Sequence, residues 1–188
     1  MEHANLTLVI SGNPVGKMRP RFARIQEGVR TYQHSKEKTA EEIWAWKAKA
    51  LIPPDFQKIP KGCAVHLDME FRLARPTSHF GAGRNRGILK PSAPVEHMQL
   101  PDIDNCEKFV ADVMTKMLGI WADDCQIVSS MACKRWTDPG EDAQTTVWLD
   151  WDEDEAERLR PAQVIRDAKA DERRRQRALE KRQKRGGK

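Results

Sequence analysis

From Val65 to Leu73 the chain alternates without a break, with Val65, Leu67, Met69, Phe71 and Leu73 on one side and His66, Asp68, Glu70 and Arg72 on the other. A period of two belongs to an extended backbone, so this segment predicts a strand buried on one face and wet on the other. Such a strand needs a sheet around it and a layer packed on its apolar side. The rest of the chain supplies candidates for both.

Leu6-Thr7-Leu8-Val9-Ile10 reads as a first strand, closed by the turn cluster Ser11-Gly12-Asn13-Pro14. A basic loop, Val15 to Arg21, follows. Ser35 can cap a helix whose apolar positions are Ala40, Ile43, Trp44, Ala48 and Leu51, and Pro53-Pro54 stops it. From Arg75 to Leu100 regular periodicity disappears, and a connection this long is either functional or disordered. Asn105 then opens an amphipathic helix. At 3.6 residues per turn Cys106, Phe109, Val110, Val113 and Met117 share one face, while Asp104, Lys108, Asp112 and Thr115 share the other, with Asp112 as a solvent-facing partner for Lys108. Gln126 to Trp136 and Thr145 to Trp151 predict two more strands, and the Asp138-Pro139-Gly140-Glu141-Asp142 cluster predicts a hairpin between them. Beyond Asp152 the chain is charged and predicted helical, with Pro161 tolerable only near a helix start.

The order implies an α/β (α+β) fold, a small mixed β-sheet with helices packed against it, occupying residues 1–152. Residues 153–188 form a basic C-terminal extension, helical or disordered. At 188 residues the chain suits one domain with a real core. Its net charge of +5 is unevenly spread. From Ala156 onward there are 13 Lys or Arg against 5 Asp or Glu, leaving 20 against 23 in residues 1–155. A mildly acidic body with a basic tail points to a polyanion, nucleic acid above all, or to a merely solvated helix. No apolar stretch reaches membrane-spanning length and the N-terminus lacks a secretory pattern, so the expectation is a soluble, intracellular protein without a membrane partner. Cys63, Cys106, Cys125 and Cys133 show no paired spacing, and read as reduced, mostly buried thiols rather than a zinc site.

The chemistry is concentrated between Pro101 and Asp124. Asp102 and Asp104 are two apart, so an extended segment would point both the same way, and Lys108 lies one helical turn past Asp104. Phosphodiester hydrolysis needs its developing charge offset and a water made nucleophilic, which a divalent cation held by two or three carboxylates can supply. A nearby lysine can stabilise the pentacovalent phosphate or the leaving oxygen. The same residues also read as ordinary structure. Asp104 with Glu107 resembles a capping box, and Asp104 with Lys108 is an i,i+4 pair worth ~0.3–0.5 kcal/mol. That reading leaves Asp102 and the pair Asp123-Asp124 unexplained, since charge beside Ile120-Trp121 is costly unless exposed or bound to a cation.

The runs Pro101-Asp102-Ile103-Asp104-Asn105, Lys108 and Gly119-Ile120-Trp121-Ala122-Asp123-Asp124-Cys125-Gln126, with the early Gly16-Lys17-Met18-Arg19-Pro20-Arg21, resemble the RusA family of Holliday junction resolvases of bacteria and their phages. The likeness spans about residues 6–151 and leaves the tail uncovered. It implies a Mg²⁺-dependent crossover junction endodeoxyribonuclease of DNA recombination and repair, a homodimer cutting two strands symmetrically, active in the cytoplasm of a bacterial or phage-infected cell. Asp102, Asp104 and Asp124 would be both metal ligands and catalytic residues, with Lys108 the catalytic lysine. Adjacent aspartates point in different directions, so whether Asp123 or Asp124 faces the metal stays open. Lys17, Arg19, Arg21, Arg84, Arg86 and Lys90 are the candidates for DNA-phosphate contacts. His79 and Phe80 are candidates for stacking on an opened base. No small organic cofactor is expected. Two other readings remain: a nuclease for flaps, forks or other branched DNA, and a DNA-binding module without catalysis.

Overall fold

The alternating segment is strand β4 (Val65–Leu73), and its five apolar side chains are at most 6% exposed. The computed structural model describes residues 5–18, 21–25, 28–32 and 35–186, without the side chains of 21–25, 28–32, 179 and 181–186. Around β4 stand β1 (Leu6–Ser11), β5 (Ile127–Trp136) and β6 (Gln144–Trp151), in the spatial order β1-β6-β4-β5. β4 runs parallel to β5 and antiparallel to β6, and β6 is antiparallel to β1, so the sheet is mixed. A separate hairpin of β2 (Arg21–Ile25) and β3 (Gly28–Tyr32) precedes the first helix, where the sequence reading placed no element.

The predicted hairpin between β5 and β6 does not form, because β4 lies between them. Asp138–Asp142 is indeed a turn, with Glu141 N–H donating to Asp138 C=O at 3.0 Å. It carries the chain over the end of β4, from Trp136 beside Leu73 to Gln144 beside Arg72. Two strand spacings are about 10 Å, which a two-residue hairpin turn cannot cross and this longer connection can.

Helices α1 (Ser35–Leu51) and α2 (Ile103–Val113) belong to the layer over the sheet's apolar face. α1 ends ahead of Pro53-Pro54, as expected. Its buried face is Glu37, Trp44, Ala45 and Ala48, whereas Ile43 and Leu51, expected inside, are 52% and 46% exposed. The small alanines let the helix approach closely, and Trp44 meets Phe109 of α2 edge-on at 6.3 Å. α2 starts at Ile103, two residues earlier than expected, with Asp102 as its N-cap. Cys106, Phe109, Val110 and Val113 are buried as the periodicity required. Met117 is not, at 45% exposed, because the chain widens into a π turn over Met114–Leu118 and ends on left-handed Gly119. The extra residue per turn shifts the phase, and Met114 fills the core instead.

Residues 75–100 are irregular but tied down. Arg75 donates to the carbonyls of Thr137 (2.6 Å) and Pro94 (2.7 Å), and the rings of His79 and His97 pack on Trp136. Only two of the four free cysteines, Cys63 and Cys106, are buried; Cys125 and Cys133 are exposed. Helix α3 (Glu153–Gly186) continues through Pro161 well past its first turn, against expectation. Pro161 is exposed, so water can take the carbonyl that its missing N–H leaves free.

Candidate active site

A cleft of about 310 Å³ opens between α2 and the start of β5, backed by Leu67 and Met69 of β4. Asp104, Glu107, Lys108 and Asp112, spaced along one face of α2, line it, and Asp124 enters from the turn that precedes β5. Asp104, Lys108 and Asp124 are therefore brought together across twenty residues of chain. Asp102 is not part of the lining. It is an exposed N-cap in extended conformation whose carboxylate makes no capping hydrogen bond. Asp104 sits inside the helix's first turn, so the two aspartates do not share the extended segment expected of them, and Asp104 is not the cap.

The Asp123-Asp124 pair divides its work. Asp123 caps the short turn Asp124–Gln126, its carboxylate accepting from Cys125 N–H at 3.1 Å. That hydrogen bond is the main cause holding the Asp123 carboxyl below the usual carboxylate range. Buried Gln126 completes the box: its Oε1 accepts from Ala122 and Asp123 N–H, and its Nε2 donates to the carbonyls of Pro60 and Cys63. Four hydrogen bonds from one amide hold this turn in place, and Asp124 beside it lines the cleft.

Several predicted phosphate contacts land elsewhere. Lys17 Nζ lies 2.7 Å from Glu41, 2.9 Å from Asp112 and 3.3 Å from Glu37, so its charge is matched inside the protein. Asp112, expected to face solvent beside Lys108, is 5% exposed and also bonds Lys116 at 2.6 Å. Lys90 donates to the Ser78 carbonyl at 2.8 Å, while Arg84 and Arg86 are exposed. Arg19 lies outside the described residues, as does the side chain of Arg21. His79, offered for stacking on a base, has Trp136 against its ring at 4.9 Å.

Two residues went unremarked in the sequence as parts of a site. Lys134 of β5 donates to the carbonyls of Gln99 and Pro101, both at 2.7 Å, and so fixes the strand of chain that delivers Asp102 and α2. Nothing local marks that role, because its partners are backbone atoms over thirty residues away. Glu107 had a signal, since it lies on Asp104's face at i+3. Burial first, and the charge of Asp104 second, raise its carboxyl above the ordinary value. A raised folded value means that the charged form costs stability, a cost absent below the ordinary 4.5 and growing as pH rises through the folded value. Glu107→Gln is therefore expected to raise the melting temperature at pH 7, with the gain fading in acid and shrinking when Mg²⁺ is added. A melting temperature unchanged or lower at pH 7 would show the crowding to be harmless.

Clustered carboxylate oxygens are the hard donors that Mg²⁺ takes, and their mutual repulsion at Glu107 is what a cation would relieve. Among the described residues no three His, Cys, Asp or Glu side chains converge closely enough to hold an ion as they stand. Asp104, Glu107 and Asp124 could share one only after side-chain rotation. A family model described as endodeoxyribonuclease RusA matches residues 11–145, and no curated protein matches significantly.

Proposed function

This chain belongs to the endodeoxyribonuclease RusA family, and from that premise we propose that it resolves four-way DNA junctions by paired symmetrical nicks, with Mg²⁺ as cofactor and as a homodimer. The observation that carries the reading is the single cleft shared by Asp104, Lys108 and Asp124. Asp104 and Asp124 would hold the cation, with Asp102 or Glu107 completing the set. Asp102 has the family resemblance and an uncommitted carboxylate in its favour, and Glu107 has its place in the cleft. Bound there, the cation would lower the pKa of a water and offset charge on the phosphate. Lys108, exposed on the same face of α2, would set its ammonium against the phosphate oxygens as water bonds to phosphorus and the bond to the leaving oxygen breaks.

Two equivalent strands at a junction call for two equivalent sites, the rationale for a two-fold dimer. Such a substrate implies work inside a bacterial or phage-infected cell, and no described helix is long and apolar enough to cross a membrane. That no such trio is preassembled among the described residues is the observation that favours a non-catalytic DNA-binding module. Incubating the protein with a mobile four-way junction, a flap, a fork and linear duplex, at one salt concentration with and without Mg²⁺, separates the readings. Symmetrical nicks in the junction alone are expected. Preferred cutting of flaps or forks would move the substrate, and stable binding without cleavage under any divalent metal would leave the module.

A further inference from the structure

We propose that one face of α3 is a second DNA-binding surface, in which Arg166, Lys169, Arg173 and Arg177 hold the sugar-phosphate backbone of a duplex arm without reading its sequence. The steps of three and four between these residues put them on one face of the helix, where they line a common groove with Arg174 around the short side chain of Ala170. Among the described residues none of the four makes an ion pair. Of the acids nearby, Asp171 lies 3.8 Å from Arg174 and Asp167 accepts from Gln163 at 2.7 Å, while Glu172 and Glu180 form no ion pair with the four. Like charges at this spacing repel, so the row destabilises the helix that carries it unless an anion lies along it. Four cations over about 17 Å of helix axis suit a run of phosphates. The surface is a poor fit for a helical protein partner, since its described positions carry no apolar seam.

The position of the row strengthens the assignment. Ala156 is fully buried at the helix root, and Gln163 Oε1 accepts from Lys61 N–H at 3.3 Å. The same segment, Pro60 to Cys63, accepts the two hydrogen bonds that Gln126 Nε2 donates, and Gln126 anchors the turn that bears Asp124. The basic row begins less than one turn beyond Gln163, so α3 projects from beside the cleft. DNA engaged there would send an arm toward it. Family similarity ends at residue 145, before α3 begins. That the bound duplex is an arm of the substrate rests on the junction-nuclease reading; the binding itself does not.

The test uses the full-length chain carrying Arg166→Gln, Lys169→Gln, Arg173→Gln and Arg177→Gln together, with glutamine chosen to keep helix propensity. Affinity for a four-way junction and for linear duplex is measured over a salt series without Mg²⁺, and helicity is checked by circular dichroism. Each phosphate contact contributes about 0.9 to the slope of log affinity against log salt, so the slope should flatten by about 3 to 4 on both DNAs, and by about 1 for Arg173→Gln alone. Replacing Lys38, Lys49, Lys58 and Arg158 with glutamine lowers the net charge equally and should leave the slope nearly unchanged. An unchanged slope in the fourfold variant, or an equal flattening in the control, would overturn the proposal. Flattening in a protein that cuts no junction would keep the surface and discard the nuclease.

Discussion

Asp104→Asn and Asp124→Asn should each lower Mg²⁺-dependent junction cleavage beyond the roughly 10- to 100-fold typical of losing a residue that only supports a metal ligand. Asparagine keeps the size and removes the charge, and at Asp124 it can still hydrogen-bond the neighbouring Asp123 side chain. Asp123→Asn provides the contrast. Its side chain is a cap, asparagine caps about as well as aspartate, and cleavage should stay within a few-fold of the parent. Wild-type activity in Asp124→Asn together with loss in Asp123→Asn would reverse the assignment. Asp102→Asn and Glu107→Gln, assayed beside them for cleavage and for Mg²⁺ affinity, identify the third ligand, and only the true one should weaken both.

Lys17→Met should cost about 3–5 kcal/mol of stability in chemical denaturation, the usual result of stripping one partner from a buried ionic cluster. Burial by itself would lower the Lys17 pKa, yet the carboxylates of Glu41, Asp112 and Glu37 hold it above the ordinary 10.5. Burial would likewise raise Asp112, but hydrogen bonds from Lys116 and Lys17 hold it below the ordinary 3.8. The signs follow from those directions. Lys17's contribution is present below its unfolded pKa and lost as pH rises through the higher folded one. That of Asp112 is present above its unfolded pKa and lost as pH falls through the lower folded one. Stability should thus fall at both extremes, and Lys17→Met should flatten the alkaline limb. Pairing it with Glu37→Gln removes the charge of the most deeply buried of the three carboxylates and should recover part of the loss, since Asp112 keeps Lys116 as a partner. A denaturation midpoint unmoved by Lys17→Met would mean that the cluster is dispensable.

The cluster also shows how the site depends on the fold. Lys17 N–H donates to Asn105 C=O at 2.8 Å, and a side chain at Gly16 would come within 2.7 Å of Pro101, so the loop after β1 lies directly on the start of α2. A glycine is required at that approach. Lys17 thereby ties α1 and that loop to the helix that presents Asp104 and Lys108. A basic residue in a basic loop gave no hint of this, because the three carboxylates that claim it come from two different helices.

Where a property depended only on neighbours along the chain, it was legible. The alternation of β4, the apolar face of α2 through Val113, the stop at Pro53-Pro54 and the presence of Asp104 and Lys108 on one helical face are consequences of fixed backbone periods and of proline's missing N–H. The same local reasoning failed at Met117, where a π turn altered the period, and at Ile43 and Leu51, where the helix chose its alanines for contact.

Tertiary structure alone decided the rest. It put β4 between β5 and β6, brought Asp124 to the cleft while leaving Asp123 as a cap, buried Asp112 against Lys17, and set the root of α3 beside the turn that carries Asp124. Each of these is a meeting of segments distant in sequence. Such meetings are selected by the burial and charge matching of the whole core, and no local period encodes them.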